Sequence, residues 1–290
     1  MRIARWSCCL ALLLLPLAAC AQTDAEEIAA TLDALLAAAQ AGDAEALGEL
    51  ITDPCVVRTD PFDEVLGRAE FLEQTAAHPT PTDFTLGEFE PWIGQGAAYA
   101  LVPMTLGPET PPVIQQVRLA TLFVEVEDAW KVAAMVMLVT INEQDPNAAP
   151  LREMQPNMMT SLQRFGQQLQ GLTANGNMVG FTKLCHENAL LGAANEETGA
   201  IELATAAQIE EALEAGEGFA SGLSPSANPE MVMEMGFGGV FTATTMDFLG
   251  PDGATASQRL VGLVSYILPF SEDDAGEWLI VAALRVPPAE

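Results

Sequence analysis

Gly42-Asp43-Ala44-Glu45-Ala46-Leu47-Gly48-Glu49-Leu50-Ile51 is answered in the second half of the chain by Gly176-Asn177-Met178-Val179-Gly180-Phe181-Thr182-Lys183-Leu184-Cys185. In each copy a glycine stops one helix, an Asp or Asn caps the next, and apolar residues follow at the same three positions. Three further matches lie downstream in the same order. Gly67-Arg68-Ala69-Glu70-Phe71 opens a helical stretch that returns as Thr205-Ala206-Ala207-Gln208-Ile209. Arg118-Leu119 and Arg259-Leu260 open similar apolar strands, and Trp130 is matched by Trp278. The offset between the copies widens at every match. Offsets that only grow describe one series of elements used twice, with longer loops in the second copy.

Each copy begins helical. Ile28, Leu32, Leu35, Leu36 and Ala39 recur at helical spacing in the first, and Leu162, Phe165, Leu169 and Leu172 do so before Asn175-Gly176 in the second. Each then turns strand-like. Residues 99–106, 114–127 and 130–141 are apolar and rich in Val, Thr and Phe, and 240–249, 257–269 and 277–286 are their counterparts. Pro251-Asp252-Gly253 is a turn signal. Asn142 to Pro150, with two prolines and no apolar period, reads as a linker, which predicts units over 20–141 and 151–290.

On the Ala41-Gly42-Asp43 turn, the Gly67-Arg68-Ala69-Glu70-Phe71 helix start and the Ala129-Trp130-Lys131-Val132 strand, the units resemble the NTF2-like, or SnoaL-like, superfamily. The resemblance implies an α+β fold: two tandem cones, each a curved antiparallel sheet packed on N-terminal helices around an apolar cavity. Asn177 and Leu279, standing where the first copy has Asp43 and Lys131, imply that the second cavity is degenerate.

The N-terminus fixes an address. Arg2 and Arg5 precede the short apolar run Cys8 to Leu17, and Leu17-Ala18-Ala19-Cys20 resembles the lipobox of bacterial lipoproteins. That resemblance implies removal of residues 1–19 and acylation of Cys20. The run is well short of the ~20 apolar residues that span a bilayer. Ala21, rather than Asp, is similar to the outer-membrane sorting signal of a Gram-negative host, with the protein facing the periplasm. Thr23-x-x-Glu26 resembles a capping box, predicting a helix start almost at the anchor.

A net charge of −29 in 290 residues makes nucleic acid a poor partner and leaves membrane attachment to the lipid. Of five cysteines, Cys8 and Cys9 leave with the signal and Cys20 carries lipid. Cys55 and Cys185 are expected as separate buried thiols, with a disulfide between the halves as the alternative.

Chemistry has few candidates. The register Arg118, Ala120, Leu122, Val124, Val126 is the cleaner apolar one, which predicts that it faces the cavity with Arg118 at the inner rim. There the guanidinium either pairs with a nearby acid or orients a carboxylate or carbonyl. Tyr99 and Arg259 complete the candidate pocket set. Enzymes of the superfamily use pocket Asp, His, Tyr or Arg, and no catalytic motif of theirs carries over. His78 reads as a loop surface residue and His186 as a helix-end or core-edge residue. Asp60, Asp63 and Glu64 could supply a carboxylate. Met231, Met233 and Met235 alternate along a strand and read as core or cavity wall, with Cu(I) ligation as the sharper alternative. No zinc spacing or phosphate-binding loop is present, and no cofactor is expected.

The function expected from these features is that of a membrane-anchored envelope lipoprotein binding a small apolar ligand or a protein partner. Acid–base catalysis in the first cavity is the alternative, in an isomerase, dehydratase or hydrolase. Assembly of a homodimer through open sheet faces is the third.

Overall fold

A computed structural model describes residues 7–60, 64–107, 112–174, 177–195, 198–214, 223–225, 230–249, 255–267 and 276–287. Asp63, the Asn175-Gly176 turn and the Pro251-Asp252-Gly253 turn lie outside these residues. The first half runs α1 (Ser7–Ala41), α2 (Ala44–Leu50), β1 (Ile51–Arg58), β2 (Leu66–Gly67), α3 (Arg68–Ala77), β3 (Thr85–Leu86), β4 (Trp92–Ile93), β5 (Ala97–Thr105), β6 (Ile114–Val126) and β7 (Ala129–Ile141). The second runs α4 (Ala149–Ala174), α5 (Met178–Thr182), β8 (Cys185–Ala194), β9 (Ile201–Thr205), α6 (Ala206–Glu214), β10 (Leu223–Pro225), β11 (Met231–Gly236), β12 (Gly239–Leu249), β13 (Thr255–Ile267) and β14 (Glu277–Val286).

The two sheets share one plan. Strands order β2-β1-β7-β6-β5-β3 in one and β9-β8-β14-β13-β12-β10 in the other, with β4 added to β5 and β11 to β12. Their irregularities coincide as well. Ile51 faces Val132 and Val56 faces Ala134 across a bulge, while Cys185 faces Ile280 and Leu190 faces Ala282 across its counterpart. Ile51 with Cys185, and Val132 with Ile280, are the equivalent positions that the sequence repeat aligns. A second bulge falls between Leu122 and Phe123, and again between Leu263 and Val264, at the same step beyond Arg118 and Arg259. Bulges bend and twist a strand, so the same curvature is written at the same places twice.

Three expectations need correction. The sheets are mixed, because β1 joins β7 and β8 joins β14 in parallel. No helix starts at Thr23, since α1 passes through it unbroken from Ser7. The end of the expected linker is structured: Pro146–Ala148 form a 3-10 turn and α4 opens at Ala149.

The helix-turn-helix follows its sequence. Gly42 takes φ +67, a conformation that costs glycine nothing, and the Asp43 amide reaches back to the Ala38 carbonyl at 3.0 Å. The Asp43 carboxylate then caps α2 at Ala46, as Asn177 caps α5 at Gly180. The β6–β7 turn fits its residues less well. Glu127 (φ 54) and Asp128 (φ 61) both sit in left-handed backbone without being glycine. Glu127→Asn with Asp128→Gly, the pair that two-residue hairpins prefer, should raise the unfolding free energy by about 1 kcal/mol in urea denaturation.

Three apolar clusters account for the packing. One fills the first cone: Ile28, Leu32 and Leu35 of α1 and Phe71 of α3 lie against Val117, Leu119 and Phe123 of β6 and Met135 and Met137 of β7. One fills the second, where Met158 and Phe165 of α4 meet Val264, Tyr266, Trp278 and Ile280. The third joins the outer faces of the two sheets, Ala120, Leu122, Val124, Val136 and Leu138 meeting Phe241, Val261, Leu263, Ala282 and Leu284.

That joint overturns the register expectation for Arg118. Both faces of β6 are buried, one under helices and one under the other half, so both registers are apolar and cleanness does not mark the cavity side. The register containing Arg118 faces the second half. The cone side is Val117, Leu119 and Phe123.

Candidate functional site

The first cone retains a cavity of about 270 Å³. Helical spacing brings Leu32, Leu35, Leu36 and Ala39 of α1 to one wall, and strand alternation brings Leu119, Met135 and Met137 to the opposite one. Phe71 and Thr75 of α3 close a side. Polar groups gather where β1 ends and α3 stops: Thr59, Asp60, Gln74 and His78. The loop after His78 is tied down over the end of α1. The Gln40 amide donates to the Pro81 and Phe84 carbonyls at 3.2 and 3.0 Å, and the Thr80 amide donates to the Ala39 carbonyl at 3.0 Å. A floor of aliphatic and thioether side chains with a polar mouth suits an apolar body with one polar end. Met104, Met135 and Met137 let the wall adapt, because methionine is unbranched and flexible.

Of the carboxylates considered, Asp60 lines this mouth, while Glu64 is exposed and does not. His78 is exposed, as the sequence suggests, and also lines the mouth. The pocket set Arg118, Tyr99 and Arg259 is elsewhere, between the halves. Arg118 pairs with Glu234 of β11. Arg259, matching Arg118 in the second copy, donates to the Tyr99 hydroxyl at 3.1 Å and lies over the Trp92 and Tyr99 rings at 5.7 and 5.9 Å. Tyr99 stacks on Trp92 with ring centres 5.3 Å apart and meets Phe241 at 5.1 Å. The two repeat-related arginines thus each reach across the joint. Leu119 belongs to the β6 register opposite Arg118, and no sequence signal marks Met135 and Met137, because β7 is apolar on both faces and no alternation distinguishes its inner one.

His186 lies on β8 rather than at a helix end. Its Nδ1 accepts the Asn188 amide at 3.1 Å, and burial, ahead of nearby charges, lowers its pKa. Met231 and Met233 are not core: they are 64% and 51% exposed on the edge strand β11, and only Met235 lines a crevice. Cys55 and Cys185 are both free thiols. Desolvation pushes each up to about 12. The expected result is that neither reacts with a maleimide at pH 8 in the native protein and both react after unfolding, as intact-mass measurement would show.

Among the described residues no helix is long and apolar enough to cross a membrane. None of the known family models matches the chain, and no curated protein matches it. Solved structures do. A putative dehydratase of the NTF2-like family from Streptomyces avermitilis is 21% identical over 40% of this chain and 95% of its own, with a TM-score of 0.33. A cystatin-like protein from Caulobacter vibrioides is 21% identical over 44% and 97%, with a TM-score of 0.33. An NTF2-like protein of unknown function from Silicibacter pomeroyi is 14% identical over 41% and 97%, with a TM-score of 0.32. The chain is similar to NTF2-like and cystatin-like proteins.

Proposed function

We propose that this is a lipid-anchored envelope protein that binds a small apolar ligand in its first half. The cavity carries the reading: about 270 Å³, walled mainly by aliphatic, aromatic and thioether groups, with the Thr75 hydroxyl on one side and the other polar groups near its mouth. The volume lies near the lower end of small-molecule pockets, roughly 300 Å³, so the ligand is a single ring system or a short chain. Ala39 lines the pocket near its mouth, on the same helix as Cys20. At ~1.5 Å per residue the two are about 28 Å apart.

Residues of the two sheets pack against one another within the chain, which favours ligand binding over assembly through open sheet faces. A second copy or another envelope protein would need a different surface. Native mass spectrometry of the protein purified from its host tests the reading. A co-purifying small molecule is expected, and an empty protein returning as a clean dimer would overturn it.

Asp60 and His78 at one mouth favour acid–base catalysis as the second reading. Asp60→Asn with His78→Gln separates the two. Under binding alone the bound species is unchanged, whereas under catalysis an unconverted substrate accumulates, of different mass for a dehydration or hydrolysis and of different chromatographic retention at the same mass for an isomerisation.

A further inference from the structure

The second half holds a crevice that the binding reading does not use. About 160 Å³ in volume, it opens where α4, the end of β7 and the edge strand β11 meet. Gln155, Met158 and Met159 stand on one face of α4 by helical spacing and line one side, while Met235 of β11 and the Trp278 ring line others. Trp278 is held in place there, its indole N–H donating to the Met158 carbonyl and the Ser161 hydroxyl, both at 3.0 Å. Exposure is graded around the crevice: Met158 is 4% exposed, Met159 half-buried and Met235 40% exposed. The space therefore has a closed floor and an open lip.

We propose that this crevice is a binding site for a soft monovalent cation, Cu(I) or Ag(I), with the thioethers of Met158, Met159 and Met235 as ligands. Thioether sulfur is a neutral, polarisable donor that selects Cu(I) over harder cations. Three such donors line one space too small for a drug-sized ligand, and each sits on an unbranched chain with enough rotatable bonds to turn its sulfur inward. One carboxylate, Glu143, also lines the crevice; a lone hard oxygen donor favours harder cations, and the three thioethers set the preference for a soft one. The Trp278 ring adds a π face to a bound cation. The net charge of −29 favours cations near the surface.

The test is a titration of the full chain in detergent with Cu(I) buffered by bicinchoninate under ascorbate, paired with native mass spectrometry using Ag(I). The wild-type chain is expected to take one equivalent of either ion. Met158→Leu, Met159→Leu and Met235→Leu, which conserve volume, should each weaken uptake about tenfold or more, and the triple variant should abolish it. Met231→Leu with Met233→Leu, on the same strand outside the crevice, should leave uptake unchanged. No stoichiometric uptake, or uptake that follows Met231 and Met233, would overturn the assignment. X-ray absorption of the Cu(I)-loaded Cys55→Ser, Cys185→Ser chain, which lacks the two free thiols, decides independently of the methionine variants: one equivalent in a sulfur-only first shell supports the site, and loss of uptake or a nitrogen or oxygen shell overturns it.

Discussion

Arg58→Ala should lower the unfolding free energy by about 3 to 5 kcal/mol, read as a shift of the urea midpoint. Arg58 is 1% exposed, the largest fully buried side chain of the described residues, and it ends β1 where the halves meet. Its Nη1 donates to the Gly238 carbonyl and its Nη2 to the Tyr266 carbonyl, both at 3.0 Å. Truncation removes both donors and leaves the volume of the side chain as a cavity; the Tyr266 carbonyl loses this donor, while the Gly238 carbonyl keeps the Tyr266 N–H at 2.9 Å. Arg118 provides the internal comparison. Its pair with Glu234 also crosses the joint, but the two side chains keep 33% and 30% of their exposure. Arg118→Ala should therefore cost about 1 kcal/mol or less. Equal effects for the two arginines would mean that the joint between the sheets is looser than its apolar packing indicates.

The same joint shows what the sequence could and could not tell. Doubling was legible because turns, caps and aromatic strand starts are local features, and they recur at offsets that the strand registers reproduce. The long strands were legible for the same reason: 277–286 is β14 to the residue, and 114–127 is β6 to within one. Two kinds of element were not. β1 and β8 follow directly on short helices, and Ile51 and Cys185 continue the apolar spacing of those helices. Only their parallel pairing with the last strand of each unit, a long-range event, makes them strands. The facing of β6 was lost because a sheet covered on both sides has no polar register to serve as reference. Arg118, Tyr99 and Arg259, expected as a pocket set, lie at the joint and not in the cavity. Their partners lie in the other copy, which no period within one unit reveals.

Ala39→Phe should move binding and stability in opposite directions. Ala39 is buried on the last turn of α1, and its methyl group lines the cavity beside Leu35, Phe71 and Met135. A benzyl group at that position takes space the ligand needs, so affinity should fall about a hundredfold or more, since no ligand of matching size fits the remainder. Empty apolar space is itself destabilising, by about 24 cal/mol for each Å³ left unfilled. Filling part of the 270 Å³ should therefore raise the unfolding free energy by about 1 kcal/mol, with no change of fold. The measurements are the bound mass in native spectra and the urea midpoint of the same preparation. Loss of both binding and stability would mean that the helix wall is tightly packed and the cavity closed. Retained binding with raised stability would place the ligand elsewhere in the molecule.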